Sequence, residues 1–397
     1  MQTFTPLQYF QIDIANLYGK DKLVWNERLE WFQENQDKLY DLIEEADKPH
    51  QYAAAVDNYF KAIKGEVNHH PIALDATSSG TQLLSCLIGD RRAAEYSNVI
   101  NTGIRRDAYT DLFKLLTDIT GPMPDITRDT LKKAIMTSLY GSSAKPKELF
   151  GEYEDYFYDL MSRELPYVWQ VMKVVVSSWN SDVDSYGWTM PDLFDAHIKV
   201  YDHKSIEFNL YGTDFESTVL VNAPCKNGKA YLANIIHSID SLIVREMTAL
   251  AMHNPFNIQR IKNMLAGKPV LAPTNDKNQE MVSNMVRIAK ESGFLSAHIL
   301  DFLDASTIKM IDEEELQELL SLVPNKPFEL LSVHDSFHVL PNYGNDLRRL
   351  YITNLAKIAK SNLLQYITDQ MPINKLIFNK AEPDMWKEVL NSEYALS

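Results

Sequence analysis

Two aspartates and one helix carry residue types suited to phosphate chemistry. Asp75 ends the apolar run Pro71-Ile72-Ala73-Leu74 and is followed by Ala-Thr-Ser-Ser-Gly-Thr-Gln. Asp335 sits in Phe-Glu-Leu-Leu-Ser-Val-His-Asp-Ser-Phe-His-Val-Leu, residues 328–340, which reads as two β-like halves around His334-Asp335. Magnesium takes hard oxygen ligands, typically one or two carboxylates plus the phosphates of a substrate. Two such ions held a few ångströms apart activate an attacking hydroxyl and stabilise the leaving group in phosphoryl transfer. Small residues after Asp75 let the backbone pass close to phosphates, so the Ala76 carbonyl is a further candidate ligand. Taken alone, each aspartate reads better as a helix cap or turn residue.

The third segment is a helix from Arg128 to Gly141. Arg128, Lys132, Ile135, Met136 and Leu139 recur at intervals of three and four and share one face. Two cations one turn apart suit a triphosphate, because each meets different phosphate oxygens. Tyr140 lies at the helix end and Gly141 stops the helix. Alone, this pattern reads as an amphipathic surface helix with solvated cations.

In combination, the three segments resemble the three motifs of the single-subunit DNA-dependent RNA polymerases of bacteriophages and mitochondria. Asp75 with Ser79, Gly80 and Gln82 matches the first motif. Arg128, Lys132, Met136, Thr137, Tyr140 and Gly141 match the second, and His334-Asp335-Ser336-Phe337 match the third. Weaker likenesses extend the match. Asn234-x-x-His237-Ser238-x-Asp240 is similar to the family's segment before the third motif, and Asp107-Ala108-Tyr109 to a wall of its nucleotide pocket. Residues 390–397 resemble its C-terminal foot, and a hairpin at 205–231 falls where the family carries its promoter-specificity hairpin.

The resemblance implies DNA-templated RNA synthesis. Asp75, Ala76 and Asp335 would ligate two magnesium ions. Arg128 and Lys132 would hold the ribonucleoside triphosphate beside Tyr109 and Gly141. Tyr140, helped by His237, would favour a ribose 2′-hydroxyl, with Lys132 and Tyr140 also counted as catalytic. Two other readings stand beside it. A related DNA polymerase usually has a sugar-excluding glutamate after its first aspartate and His-Asp-Glu in its third motif, whereas this chain has His-Asp-Ser. A non-catalytic subunit of polymerase ancestry would not need both aspartates and both cations, which are intact.

Periodicity gives the elements that position these residues, and the resemblance implies the parts of the fold that they build. Residues 1–65 read as helical and lead into a palm; 66–125 hold the first metal motif; and 126–200, with further helix over 152–178, form fingers. Residues 201–252 return to palm with the hairpin, whose alternation from His197 to Leu232 centres on Asn227-Gly228. A helical insertion spans 253–326, and 327–397 complete the palm and foot. The expected class is α+β, a right-hand polymerase fold lacking the N-terminal promoter domain and thumb. In this the chain resembles the larger, C-terminal-half catalytic subunit of a two-polypeptide phage RNA polymerase, whose smaller second subunit is expected to supply both.

The 397 residues carry a net charge of −15. Duplex DNA is gripped by cations, since phosphate neutralisation supplies most nonspecific affinity, so this chain either does not hold DNA alone or keeps a local basic channel. A single-stranded template or a DNA-binding activator is compatible with that charge. Cys86 and Cys225 offer no metal-ligand spacing and no disulfide framework. No signal peptide is read, and no apolar run approaches the ~20 residues of a membrane span. The split-polymerase resemblance implies the cytoplasm of a phage-infected bacterium.

Overall fold

The strands are β1 (Ile72–Asp75), β2 (Ser185–Thr189), β3 (Asp195–Lys199), β4 (Tyr201–Leu210), β5 (Thr213–Asn222), β6 (Leu331–Val333) and β7 (Ser336–Val339). They come from a computed structural model that describes every residue except 124, 143, 227–229 and 271–274. In β1, Ile72 and Leu74 are buried while Asp75 is exposed, the inside-outside alternation that a strand imposes. Antiparallel pairing gives the order β1-β7-β6, with Asp75 opposite Ser336 and Ile72 opposite Val339. The mixed helix-and-strand composition agrees with the expected α+β class.

The far side of β1 is closed by groups distant in sequence. The buried Asp13 carboxylate accepts the Ala73 N–H at 3.1 Å. Residues 395–397 run alongside: Thr77 N–H donates to the Ala395 carbonyl, Ser397 N–H donates to the Asp75 carbonyl, and Ala76 bridges Leu396. Tyr394 stacks on Trp25 at 5.5 Å, and the fully buried Arg348 donates to the Glu393 carboxylate at 2.8 Å. Each backbone group paired this way avoids the cost of an orphaned buried polar group.

The Ser79–Ile88 helix lies at the centre of the main core. Leu83, Leu84, Cys86, Leu87 and Ile88 are all buried, because the Pro166–Ser177, Ala230–Ala251 and Gly344–Lys360 helices surround it. A smaller core joins Phe10, Ile14, Phe32, Tyr52 and Tyr59 of the first helices. Residues 253–326 form the helices Pro255–Leu265, Asp276–Ser292 and Glu313–Leu322 with shorter turns. Their attachment centres on Glu246, a fully buried carboxylate that accepts the Ala297 N–H, the Ser296 hydroxyl and, at 3.0 Å, Lys357 Nζ.

Two sequence expectations need correction. The hairpin spans 201–222 and turns at Tyr211-Gly212, not at Asn227-Gly228, which lies outside the described residues. Tyr211 and Gly212 both have positive φ, 51° and 84°, as a two-residue hairpin turn requires. The Asn209 side chain accepts the Gly212 N–H at 3.0 Å and supplies the turn chemistry. Second, helix does not run unbroken over 152–178; it divides into Glu154–Glu164 and Pro166–Ser177. Pro166 cannot donate into the preceding turn and starts a new helix instead.

Candidate active site

The β1–β7 ladder brings Asp75 and Asp335 together although 260 positions separate them in sequence. The Ala76 N–H donates to the Asp335 carbonyl at 3.0 Å. His334 takes φ of 56°, so the chain reverses between β6 and β7 within two residues and presents Asp335 at the turn. A histidine in the left-handed region is uncommon and is held there by its surroundings. Asp75 is exposed and Asp335 half-buried, and among the described residues neither carboxylate has a hydrogen bond or an ion-pair partner. No cluster of three or more His, Cys, Asp or Glu suited to a metal occurs among the described residues. Two unengaged carboxylates fit magnesium better than a protein-enclosed metal, because magnesium keeps waters and substrate phosphates among its ligands.

Asp240 belongs to the Asn234–Asp240 segment, where the sequence pattern gives it no role. It lies on the helix after the hairpin, and its pKa is pushed up to about 6 by burial first and by the Asp335 charge second, against the opposing effect of His334. The group is therefore coupled to the aspartate turn.

Arg128 and Lys132 flank the same space. The Thr127 hydroxyl accepts the Thr130 N–H and caps the Arg128–Leu139 helix, placing Arg128 at its first position. Arg128 donates to the Asp107 carboxylate at 2.6 Å and to the Thr110 hydroxyl at 2.8 Å. Burial raises the Asp107 pKa, but the hydrogen bonds from Arg128 and Thr110 outweigh it and hold the carboxyl below its ordinary value. Lys132 is exposed, with its ammonium 5.4 Å from the Tyr109 ring centre. The Tyr109 hydroxyl in turn meets the Ser78 hydroxyl at 3.2 Å.

A cavity of ≈ 440 Å³ joins Asp75, Arg105, Tyr109, Arg128 and Lys132, and Lys22 opens into it as well. Lys22 and Arg105 were missed in the sequence because neither stands in a periodic or motif pattern. Arg105 donates to the Ser397 hydroxyl at 3.1 Å, and burial lowers its pKa. A smaller cavity of ≈ 180 Å³ connects Asp335, Ser79, Gly80, Lys132, Met136 and Tyr140.

Tyr140 ends its helix, and Gly141, at φ of 91°, turns the chain away. Gly80 explains its own presence: a Cβ there would stand 2.9 Å from the Tyr140 hydroxyl. His237 is exposed, with its ring 5.2 Å from that of Tyr140. Gln82 is fully buried. Its amide N–H groups reach the Thr77 hydroxyl and the Ser97 and Ala395 carbonyls at 2.8–3.0 Å, and its carbonyl accepts the Tyr351 hydroxyl at 2.6 Å. The second position of the Ser-Gly-x-Gln stretch thus makes room for Tyr140, while the fourth locks the backbone beyond Asp75 to the tail.

Comparison with known proteins identifies relatives of this part of the chain. Residues 4–148 match the family model for DNA-dependent RNA polymerase. A probable DNA-directed RNA polymerase of Neurospora crassa is 27% identical over 160 residues, covering 35% of this chain and 18% of the relative. The mitochondrial DNA-directed RNA polymerase of N. crassa is 28% identical over 164 residues, 34% of this chain and 11% of the relative. The mitochondrial DNA-directed RNA polymerase 1 of Arabidopsis thaliana is 25% identical over 170 residues, 34% of this chain and 17% of the relative. The aligned stretch spans less than a fifth of each of these relatives. The family match includes Asp75, Arg128, Lys132 and Tyr140, while His237 and Asp335 lie beyond it. No helix among the described residues is long and apolar enough to cross a membrane.

Proposed function

We propose that this chain is the catalytic part of a DNA-templated RNA polymerase of the single-subunit family. The carrying observation is the β1–β7 pairing, which sets Asp335 beside Asp75 on the space that Arg128 and Lys132 flank, with both carboxylates unengaged. Asp75, Asp335 and the Ala76 carbonyl would hold two magnesium ions, which activate the attacking hydroxyl and neutralise charge on the leaving pyrophosphate. Lys132 and Arg128 bind and orient the triphosphate, Arg128 from the position in which Asp107 holds it. Positioning of this kind supplies most of phosphoryl-transfer catalysis, with the RNA 3′-hydroxyl in line with the α-phosphate. Tyr109 walls the pocket beside Gly141, and Tyr140 with His237 contacts the sugar edge. Gly80 fixes where the Tyr140 hydroxyl sits.

In this reading 66–125, 201–252 and 327–397 form the palm and 126–200 the fingers. The thumb and the DNA-gripping surface come from a smaller second polypeptide. The net charge of −15 supports this, since cations for template phosphates must then come from elsewhere. A single-stranded template or a DNA-binding activator fits the same charge. The relatives named above are fungal and plant enzymes, two of them mitochondrial, so a phage and bacterial-cytoplasm setting rests on the two-polypeptide reading alone.

The deciding experiment is extension of an RNA primer on a DNA template by this chain co-produced with the polypeptides encoded beside it. Ribonucleotide incorporation is expected, with Asp335→Asn abolishing it. Preferred deoxyribonucleotide incorporation would establish a DNA polymerase, and equal activity of Asp335→Asn would establish a non-catalytic role.

A further inference from the structure

The β4–β5 ribbon stands apart from the site and from the core. Every residue of β4 is exposed, and β5 is exposed along its first six positions. Contacts at its base hold it: Ala223 N–H donates to the Val200 carbonyl, and Asn222 Nδ2 donates to the Asp184 and Val200 carbonyls. A two-stranded ribbon without a covered face is marginal in water. This one is nonetheless amphipathic. The register puts Phe208 opposite Phe215, so Ile206, Phe208, Leu210 and Phe215 share one face. The two rings stack at 5.6 Å, and all four side chains are 44–51% exposed. On the opposite face Glu207 stands across from Glu216, with Asp214 one step nearer the tip. Like charges directly opposite destabilise a strand pair unless a cation is brought to them.

We propose that this ribbon is a protein-docking arm whose apolar face seats in a separate polypeptide that carries Lys and Arg around an apolar groove. Charge selects that occupant. Residues 201–222 hold Asp202, Glu207, Asp214 and Glu216 against Lys204 alone, a charge that repels nucleic-acid phosphates and departs from the promoter-reading role that the hairpin's position in the family implies. A second copy of this chain, at −15, meets the same repulsion at long range. A basic polypeptide relieves the Glu207–Glu216 pair and covers the aromatic strip in one contact, as complementary rims do around apolar interface centres. The inference deepens the two-polypeptide reading above and rests on it.

The test places a photo-crosslinking amino acid at the fully exposed tip residue Tyr211 and produces the chain with its genomic neighbours. The expected product is a stoichiometric adduct with one polypeptide, mapped by mass spectrometry to a segment with Lys or Arg beside apolar residues. Phe208→Ser with Phe215→Ser, and separately Glu207→Lys with Glu216→Lys, should each lower adduct yield about tenfold. Charge reversal at the mapped Lys or Arg should restore the yield of the second variant. Unchanged melting temperature of both variants separates lost docking from lost folding, because the core lies elsewhere. Adducts with DNA, with RNA or with a second copy, or no adduct at all, would overturn the proposal. If transcription needs a second polypeptide whose crosslinks avoid the ribbon, the docking arm fails while the polymerase reading stands. If the adduct forms but the complex makes no RNA, the reverse holds.

Discussion

Replacing Gln82 by methionine tests whether the site's scaffold works as described. The substitution keeps volume and removes the amide. Three of the four partners keep another hydrogen bond. The Ser97 carbonyl still accepts the Thr77 hydroxyl at 2.8 Å, the Thr77 hydroxyl still accepts Asn98 Nδ2 at 3.2 Å, and the Ala395 carbonyl still accepts the Thr77 N–H at 3.2 Å. Only the buried Tyr351 hydroxyl is left with no partner among the described residues. Two lost amide N–H bonds at ~1 kcal/mol each, plus an orphaned hydroxyl at ~1–3 kcal/mol, give an expected loss of roughly 3–5 kcal/mol.

Tyr351→Phe alone strands the Gln82 carbonyl oxygen and should cost about 1–3 kcal/mol. In the double variant neither orphan exists, so its cost should fall short of the summed single costs by at least about 2 kcal/mol. Urea denaturation with an unchanged m-value reads each difference. Single-variant costs that add within ~0.5 kcal/mol would refute the reasoning, because residues sharing one buried bond must couple.

Other expectations follow from the same contacts. Gly80→Ala places a Cβ 2.9 Å from the Tyr140 hydroxyl. Because Tyr140 is only half-buried and can yield, stability should fall by about 1 kcal/mol, while competitive incorporation assays should show ribose preference weakened by up to about tenfold. The Asp107 carboxyl lies below its ordinary 3.8. A depressed carboxylate pKa gives stability that is present above the unfolded value and is lost as pH falls through the folded one. The advantage of the native chain over Asp107→Asn should therefore hold above pH 3.8 and vanish in stronger acid, read by denaturation across pH. Asp240 has the opposite sign, because its pKa is raised from 3.8 to about 6. Its contribution favours folding at low pH and declines as pH rises between those values. In chelator, Asp240→Asn should flatten the stability slope there, and Asp335→Asn should move the Asp240 titration, followed by carboxyl NMR, toward lower pH.

Residue types near the reacting groups were legible because motif spacing records local geometry. Arg128 and Lys132 share a helix face whatever that helix packs against, and Gly141 ends the helix through its own backbone. The strand ending in Asp75 announced itself as a short apolar run, and the turn at His334-Asp335 by its two apolar flanks. The joining of these pieces was another matter. The β1–β7 register depends on Val339 and Ile72 reaching the same core, which no window of sequence contains. The tail at Ala395 and the carboxylate of Asp13 complete β1 from opposite ends of the chain, and neither residue carries a local signal. Lys22 and Arg105 enter the cavity for the same reason, through the packing of the elements that bear them.

The misplaced hairpin turn shows the limit from another side. Asn-Gly is the stronger two-residue turn signal, yet the ladder closes at Tyr211-Gly212. Pairing Phe208 with Phe215 and Ile206 with Ser217 keeps Ile206, Phe208, Leu210 and Phe215 on one face, and a turn placed sixteen residues later would have broken those pairs. Register thus followed side-chain pairing rather than turn propensity. A ribbon that keeps an apolar face while nothing among the described residues covers it, and keeps glutamates opposed on the other, fits the proposed docking contact outside the chain. The candidate site residues need no such contact to be held: Gln82, Asp107 and Gly80 position them from within. On the proposed reading, this division leaves the chemistry to the chain and makes the ribbon the place to look for the polypeptide that grips the template.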